Sequence, residues 1–564
     1  MKDRARSVAA PNDIFQKALA LHQRGQLAAA QALYAQVLGA VPRHFDSLHL
    51  LGLTFVQAGQ PRKGADMIRR ALALRPDVAE AHYNLGNALL TLGQPGDALA
   101  ALRTAISLNP VDAQYHLEAG NALQELKRPD AALAEFDAAL RLDPQLAEAH
   151  NNRGIALKDL GRPDEALASY DAALGLRPDY PEAHSNRGNA LKELGQLDAA
   201  LACHDRAIAL RPGYAEAHYN RGNVLGEMKC HDAALSSYDA ALRLRPDYAE
   251  AQHNKSQLLL GLGRFGEGFG LYHWRWKSPA FNSAAPTTSL PAWDGQAQGH
   301  VLLWGEQGIG DEVFHASLLS LLPLGQKVTL AADRRLHAIY QRSCPGIAVI
   351  DGAAPLPPDA PFTAQAPMGD LAALLGVDAH KIAARRMPFL VSDAARRDAL
   401  RRDHPFLSRH PVCGLSWKSA NKRFGADKSL RLIDLAPLLE TPGISFVNLQ
   451  YGEVVDEIAE VRAALGVTVH QVPGLDVFND IDGLLALVDA CDTLFTTSNV
   501  TAHLAGALAK QAVVVVPSGK GCLWYWQGGP NNLWYPSLRR IAQDRAGQWD
   551  AAVRAAVASV KDIL

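Results

Sequence analysis

At 564 residues, with about 150 residues per domain, the chain calls for three to four domains, more than one hydrophobic core supports. Hydrophobic residues make up 48% and charged residues 20%, which excludes a disordered chain and one built of membrane spans. The 56 Lys and Arg against 58 Asp and Glu leave a net charge of −2, so the positive field that draws most proteins to nucleic acid is missing.

The segment MKDRARSVAAPND has charges but no apolar core of signal-peptide length, and no stretch approaches the roughly 18 apolar residues of a spanning helix. A cytoplasmic location is the expectation. Cys203, Cys230, Cys344, Cys413, Cys491 and Cys522 show no CxxC spacing, so neither a zinc site nor a disulfide framework is expected.

The first half is periodic. Glycine recurs at Gly52, Gly86, Gly120, Gly154, Gly188 and Gly222, and proline at Pro42, Pro76, Pro110, Pro144, Pro178, Pro212 and Pro246, both in steps of 34. Small residues fall between them at Ala132, Ala166, Ala200 and Ala234, then at Ala71, Ala105, Ala139, Ala173, Ala207 and Ala241. This spacing matches the tetratricopeptide repeat: each proline stops the second helix of a unit and each glycine lets the first helix pack closely. Seven units fit residues 11–248, and a half unit carries the superhelix to residue 264.

Two residues before the repeat glycine stand Asn84, Asn152, Asn186 and Asn220, with Asn254 before Ser256 and Glu118 interrupting the series. An amide offers donor and acceptor, so a column of them can clasp the backbone of an extended peptide. Equally, the asparagines solvate a concave surface or fill a local helix contact. The column resembles the asparagine ladder in the repeats of O-linked N-acetylglucosamine transferase, with Glu118 leaving a gap.

The period ends at 265. Residues 265–298, with GEGFGLYHWRWKSP and PAWDGQ, read as a junction whose Trp274, Trp276 and Trp293 serve interdomain packing rather than a ligand platform. Beyond it, the apolar runs 301–304, 327–332, 347–350, 412–417, 445–450, 492–497 and 512–517 alternate with helical stretches. This predicts parallel sheets in two α/β halves, 299–410 and 411–564, with ligands at the carboxyl ends of the strands.

Four motifs sit at those ends. GEQGIGDEVF places Gly305, Gly308 and Gly310 in a strand-to-helix turn with Asp311 at the helix start, as an N-cap or a catalytic group. GLSWKSANKRFGADKSL gathers Lys418, Lys422, Arg423 and Lys428, a phosphate site or a solvated basic loop. TTSNVTAHLAGAL offers Ser498 and Asn499 as helix caps, with Thr501, His503 and Gly506 beyond them; the helix start suits an anion. GCLWYWQGGPNNLWYPSLRR covers a base or sugar, or packs the core. Asp480, Ile481 and Asp482 precede an apolar helical run and read as a helix cap rather than a metal-binding DxD.

Taken in order, these motifs resemble the catalytic half of bacterial tetratricopeptide-linked glycosyltransferases of GT-B fold, related to the lipopolysaccharide heptosyltransferases. The whole layout is similar to flagellin glycosyltransferases that attach nonulosonic acids such as pseudaminic acid. The resemblance implies an α-solenoid followed by two Rossmann-like halves, the first for the acceptor and the second for the nucleotide-sugar. It also implies transfer to Ser or Thr of a protein held by the repeats. It makes Asp311 the base, assigns Lys418 to donor phosphate, and assigns Ser498, Asn499, Thr501 and His503 to donor binding; Lys428, from the basic loop itself, is a further donor-binding candidate. The family pattern has Asp-Thr where this chain has Ser498 and Asn499, which argues against a heptose donor and leaves room for an acidic sugar. The expected chemistry is an inverting single displacement without metal or cofactor. The competing expectations are a catalytically degenerate scaffold and a transferase acting on lipopolysaccharide or another glycan.

Overall fold

A computed structural model describes residues 10–279, 281, 283–296, 299–356, 360–409, 411–419, 425–518, 521–526, 532–545 and 547–564. The chain divides into two compact units, Met1–Leu244 and Arg245–Leu564.

The first unit is a tetratricopeptide solenoid. Its described residues form seven antiparallel helix pairs, from Pro11–Gln23 with Leu27–Ala40 to Ala215–Glu227 with His231–Leu244. The repeat glycines act as the sequence predicts. A Cβ on Gly120, Gly154, Gly188 or Gly222 would come within 2.4–2.7 Å of the ring of Phe136, Tyr170, His204 or Tyr238. Each large side chain of a second helix therefore lies directly on the backbone of the first, and the alanines between them are fully buried.

A second glycine series ends the first helices. Gly25, Gly59, Gly93, Gly161 and Gly195 have φ between 67° and 75°, the left-handed cap in which a Cβ is penalised. At the same place in two other repeats stand Lys127 and Lys229, with φ of 57° and 61°.

The second unit opens with the helix pair Ala249–Gly261 and Phe265–Tyr272. The expected superhelix boundary at residue 264 thus falls inside this unit, because Phe265, Phe269 and Tyr272 share a core with the α/β region. Two all-parallel sheets follow. The first has order β3-β2-β1-β4, from β1 (His300–Trp304), β2 (Lys327–Ala332), β3 (Ala348–Asp351) and β4 (Ala364–Pro367). The second has order β10-β9-β8-β5-β6-β7. It comprises β5 (Val412–Ser416), β6 (Ser445–Asn448), β7 (Val469–His470), β8 (Thr493–Thr497), β9 (Ala512–Val516) and β10 (Leu538–Ala542).

The seven expected strands are present. The three unexpected ones are β4, which reads AQAP, the two-residue β7, and β10, which reads LRRIA; none has the continuous apolar run of a strand buried on both faces. The halves also part earlier than residue 411. Phe389 and Leu390 donate to Ala507 O at 3.1 and 3.3 Å, and Arg396 of the helix Ala394–Asp403 pairs with Asp480. The 389–403 segment therefore packs on the second half.

Trp276 and Trp293 pack as expected, whereas the half-buried Trp274 meets its chain neighbours His273 and Lys277. Trp276 meets Trp304 at 5.2 Å and Phe281 at 4.8 Å, and Trp293 is buried. Between them Arg275, fully buried, bonds Glu306 at 2.7 Å and Asp370 at 2.5 Å.

Replacing Lys127 and Lys229 by glycine relieves two left-handed non-glycine residues. Each change should stabilise the solenoid by about 0.5–1 kcal/mol in urea unfolding, the left-handed penalty less the entropy glycine adds to the unfolded chain. Destabilisation by either one would contradict the capping geometry.

Candidate functional site

A cleft of about 320 Å³ lies between the two halves of the second unit. Gly308 to Asp311 and Arg335 line it from the first half; Ser419, Lys428, Tyr451, Phe478, Ser498, Asn499, His503 and Tyr525 are among its residues from the second. It lies where two parallel sheets present the loops after their strands, including those after β5 and β8, the pair at which the order of the second sheet reverses.

Asp311 occupies the third position of the helix Ile309–Ala316, and Gly308 is the N-cap. The cap role considered for Asp311 is therefore corrected: Asp311 is the third helical residue, and the nearby N–H of Gly308 helps to hold its carboxyl down. The hydroxyl of Tyr525 donates to Asp311 Oδ1 at 3.5 Å. Burial pushes the Asp311 pKa up to about 6, against the opposing pull of Lys428 and these hydrogen bonds. Just upstream, Gln307 has φ of 66°, a left-handed conformation stored in the loop that presents Asp311.

Lys428, 3% exposed, reaches the cleft; burial lowers its pKa and Asp311 opposes that. Lys418 does not line it. Its ammonium pairs with Glu457, a carboxylate that also accepts from Trp417 Nε1 and Leu432 N, each at 3.0 Å. The assignment of Lys418 to donor phosphate is corrected accordingly: its charge is neutralised inside the second half, and its carbonyl instead accepts from Asn499 Nδ2 at 3.0 Å. Lys422 and Arg423 lie outside the described residues.

Asn499 caps the helix Val500–Ala507, accepting from Thr501 N at 3.0 Å. Thr501, fully buried, turns its hydroxyl inward to Ser416 Oγ at 3.4 Å and does not line the cleft, which corrects its assignment to donor binding. Ser498 does line it. Its Oγ is buried without a partner among the described residues, at the start of a helix whose N-terminus favours negative charge.

His503 packs its ring on the backbone of Gly310, where a Cβ would come within 3.1 Å of Cδ2, and its Nδ1 shares a hydrogen bond with the Tyr535 hydroxyl at 3.0 Å. Burial lowers its pKa to about 3, so it is neutral at physiological pH. A Cβ on Gly506 would come within 2.4 Å of the Tyr535 ring.

Of the fourth motif, Trp524, Trp526, Trp534 and Tyr535 are core. Phe314 stacks on Trp534 at 4.3 Å and on Tyr525 at 4.4 Å. Tyr525 alone of these five contributes to the cleft wall. Asp480 caps Gly483 N at 2.8 Å, and Asp482 pairs with Arg342.

Arg335, Tyr451 and Phe478 were not singled out in the sequence. Arg335 and Tyr451 follow the ends of β2 and β6 within three residues, so the strand-end rule would have found them. Phe478 has no such signal.

In the solenoid, the asparagine amides bond across repeats. Asn84 Nδ2 meets His49 Nε2 at 3.0 Å, Asn186 Nδ2 donates to Asn151 Oδ1 at 3.0 Å, and Asn220 Nδ2 to Ser185 Oγ at 3.5 Å. Asn152 donates to Asn121 at 2.8 Å, and Asn121 in turn to Glu118 at 3.1 Å. One N–H of each amide stitches neighbouring repeats, the local helix contact set beside the peptide clasp in the sequence, and Glu118 belongs to the network through Asn121. Asn254, in the second unit, also has a bonding partner.

Lys428→Met removes the cation that holds the Asp311 carboxyl down. Its ionisation midpoint should rise above about 6 in an infrared titration; an unmoved or lowered midpoint would refute the pairing.

Models described as tetratricopeptide repeat match residues 49–113, 85–147, 135–168, 156–195, 188–229 and 215–248. Protein FlbA of Caulobacter vibrioides is 33% identical over 329 residues, covering 54% of this chain and 54% of that protein, so the chain spans about half the length of this curated relative. Among solved structures, MamA is 25% identical with a TM-score of 0.29, covering 30% of this chain and 92% of its own. YrrB, described as a TPR protein with an unusual peptide-binding site, is 28% identical with a TM-score of 0.29, covering 34% and 98%. A thermophilic TPR protein of Thermus thermophilus is 26% identical with a TM-score of 0.28, covering 32% and 98%. No described helix is long and apolar enough to cross a membrane.

Proposed function

We propose that the second unit is a GT-B glycosyltransferase that moves a sugar from a nucleotide-sugar to a Ser or Thr hydroxyl of a protein bound by the repeats. The observation that carries the reading is the meeting, in one cleft, of a carboxylate from one sheet with a lysine, an unpartnered serine hydroxyl and a helix N-terminus from the other. Their division fits a reaction that needs a base on one reactant and a cationic seat for the leaving phosphate of the other.

The nucleoside lies in a recess of about 210 Å³ that shares Tyr451, Val477 and Phe478 with the cleft and adds the amides of Asn448, Gln450 and Gln471. The phosphates meet Lys428, Ser498 and the first turn of the helix Val500–Ala507. The acceptor oxygen bonds to the anomeric carbon as the bond from that carbon to phosphate oxygen breaks. The electron pair leaves on the phosphate and the acceptor proton passes to Asp311, with inversion. A base of pKa near 6 remains far weaker than an alkoxide, so proton transfer accompanies bond-making.

The neutral Ser498, where the resembled family has an acidic residue, suits an acidic sugar such as a nonulosonic acid; flagellin is the acceptor that the resemblance names. His503, neutral and held by Tyr535 and Gly310, shapes the donor seat without adding charge.

A panel of CMP-, UDP-, GDP- and ADP-sugars should contain at least one that raises the melting temperature of the full chain and is turned over by it. Asp311→Asn should keep that stabilisation while losing turnover by about 10²-fold or more. Because the base must be ionised, wild-type turnover should fall as pH drops through about 6. Full turnover by the Asn variant would remove Asp311 from the reaction, and no response to any donor would leave the cleft a scaffold surface.

A further inference from the structure

A larger cavity of about 980 Å³ lies over the carboxyl ends of β1, β2 and β3 in the first half. It opens through a smaller recess, which shares Gly305, Glu312, Asp333 and Arg335 with it, onto Gly308, Ile309 and Arg335 of the catalytic cleft. Its character is opposite to that of the donor seat. Arg335 pairs with Asp333 at 2.8 Å and Arg334 with Asp351 at 3.5 Å, so both cations are matched. The unmatched acid is Glu312.

Glu312 is 6% exposed and adjoins Asp311 in the chain. Its Oε2 accepts from Asp333 N at 3.3 Å, and Gly305 owes its lack of a Cβ to this group, since one would meet Oε2 at 2.4 Å. Its Oε1 is buried without a partner among the described residues, and Glu312 lines both the cavity and the recess. A buried carboxylate oxygen without a donor is costly unless a ligand supplies one; burial pushes the Glu312 pKa up to about 7, in keeping with that deficit.

Resting on the glycosyltransferase reading, we propose that this cavity holds the acceptor as an extended polypeptide segment, with Glu312 Oε1 accepting a backbone or side-chain N–H and so positioning the neighbouring hydroxyl at Asp311. Three observations favour a polypeptide over an anionic glycan. The two cations of the wall, Arg334 and Arg335, are each paired with an aspartate and no free cation remains among the described residues, so a phosphate or carboxylate on the acceptor would find no counter-charge. Ala284, Ala285, Ala353 and Ala354 leave room for a main chain to approach. The volume takes several residues and exceeds what one hydroxyl side chain fills. Glu312 is a positioning residue, and Asp311 remains the base.

The test compares full-length wild type, Glu312→Gln and Ala353→Trp, the last filling the cavity from an exposed turn. Each is read out twice. Donor hydrolysis without acceptor is measured on the nucleotide-sugar that stabilises the wild type, and protein-bound sugar is measured by intact mass after each gene is returned to a deletion strain. Both variants should hydrolyse donor within about twofold of wild type, while sugar on protein falls about tenfold or more, the loss of one charge-assisted hydrogen bond or of the cavity. Unchanged protein glycosylation in both variants overturns the proposal, as does a loss that strikes hydrolysis and transfer equally. Sugar missing from lipopolysaccharide instead of protein overturns the polypeptide assignment. Wild type that hydrolyses no donor and alters no acceptor would instead sink the parent reading, an outcome distinct from all of these.

Discussion

The α/β unit depends on one buried ion group. Arg275, with no exposed surface, is bonded to both oxygens of Glu306, to Asp370 and to Tyr272 O. It joins the segment after the last helix pair to the turn that follows β1 and to the turn that follows β4. Gly369 is glycine because a Cβ there would fall 1.6 Å from Glu306 Oε1. Glu306 immediately precedes the strained Gln307 and the turn that delivers Asp311, so the geometry of the cleft is anchored at a point it does not contain. A buried ion group is weak as a source of stability, but removing one member strands a charge at about 3–5 kcal/mol. Its use here is to hold one loop in one place.

The halves then meet through aromatic packing as well as through the ion pair of Arg342 with Asp482. Phe314, on the same helix as Asp311, stacks between Trp534 and Tyr525. Arg385 donates to Ser317 Oγ at 2.6 Å and to Trp534 O at 2.8 Å, bridging the halves with neutral acceptors. Against that support, the Gly310 backbone rests on His503, so the first turns of the helices Ile309–Ala316 and Val500–Ala507 approach each other. Two helix N-termini and Lys428 make this end of the cleft favourable to anions, while the adjoining cavity offers them no unpaired cation among the described residues.

The solenoid shows a different economy of polar groups. Its asparagine amides bond from one repeat to the preceding one, and Arg153, Arg187 and Arg221 each bond an aspartate sixteen residues back, Asp137, Asp171 and Asp205, at 2.6–2.7 Å. Repeat-to-repeat interfaces set the stability of such arrays, and these bonds lie at those interfaces. Each of these amides spends one of its two N–H donors on the neighbouring repeat.

The 34-residue period, the glycine contacts and seven of the strands were legible because steric fit and apolar patterning are local: Gly154 needs only Tyr170 in its own repeat, and AVVVV reads as a buried strand by itself. The same holds for Asn499 as a cap, whose partner Thr501 is two residues away. What tertiary structure alone decided was which of several chemically equivalent groups face the cleft. Lys418 and Lys428 are alike in sequence, but Glu457 claims the first and Asp311 faces the second, and neither partner is near in the chain. Thr501 and Ser498 carry the same hydroxyl, and only the position of Ser416 on β5 turns one inward. Charge and hydrogen bonding are settled by neighbours that the fold brings together, so residue type announces the chemistry while distance in space assigns it.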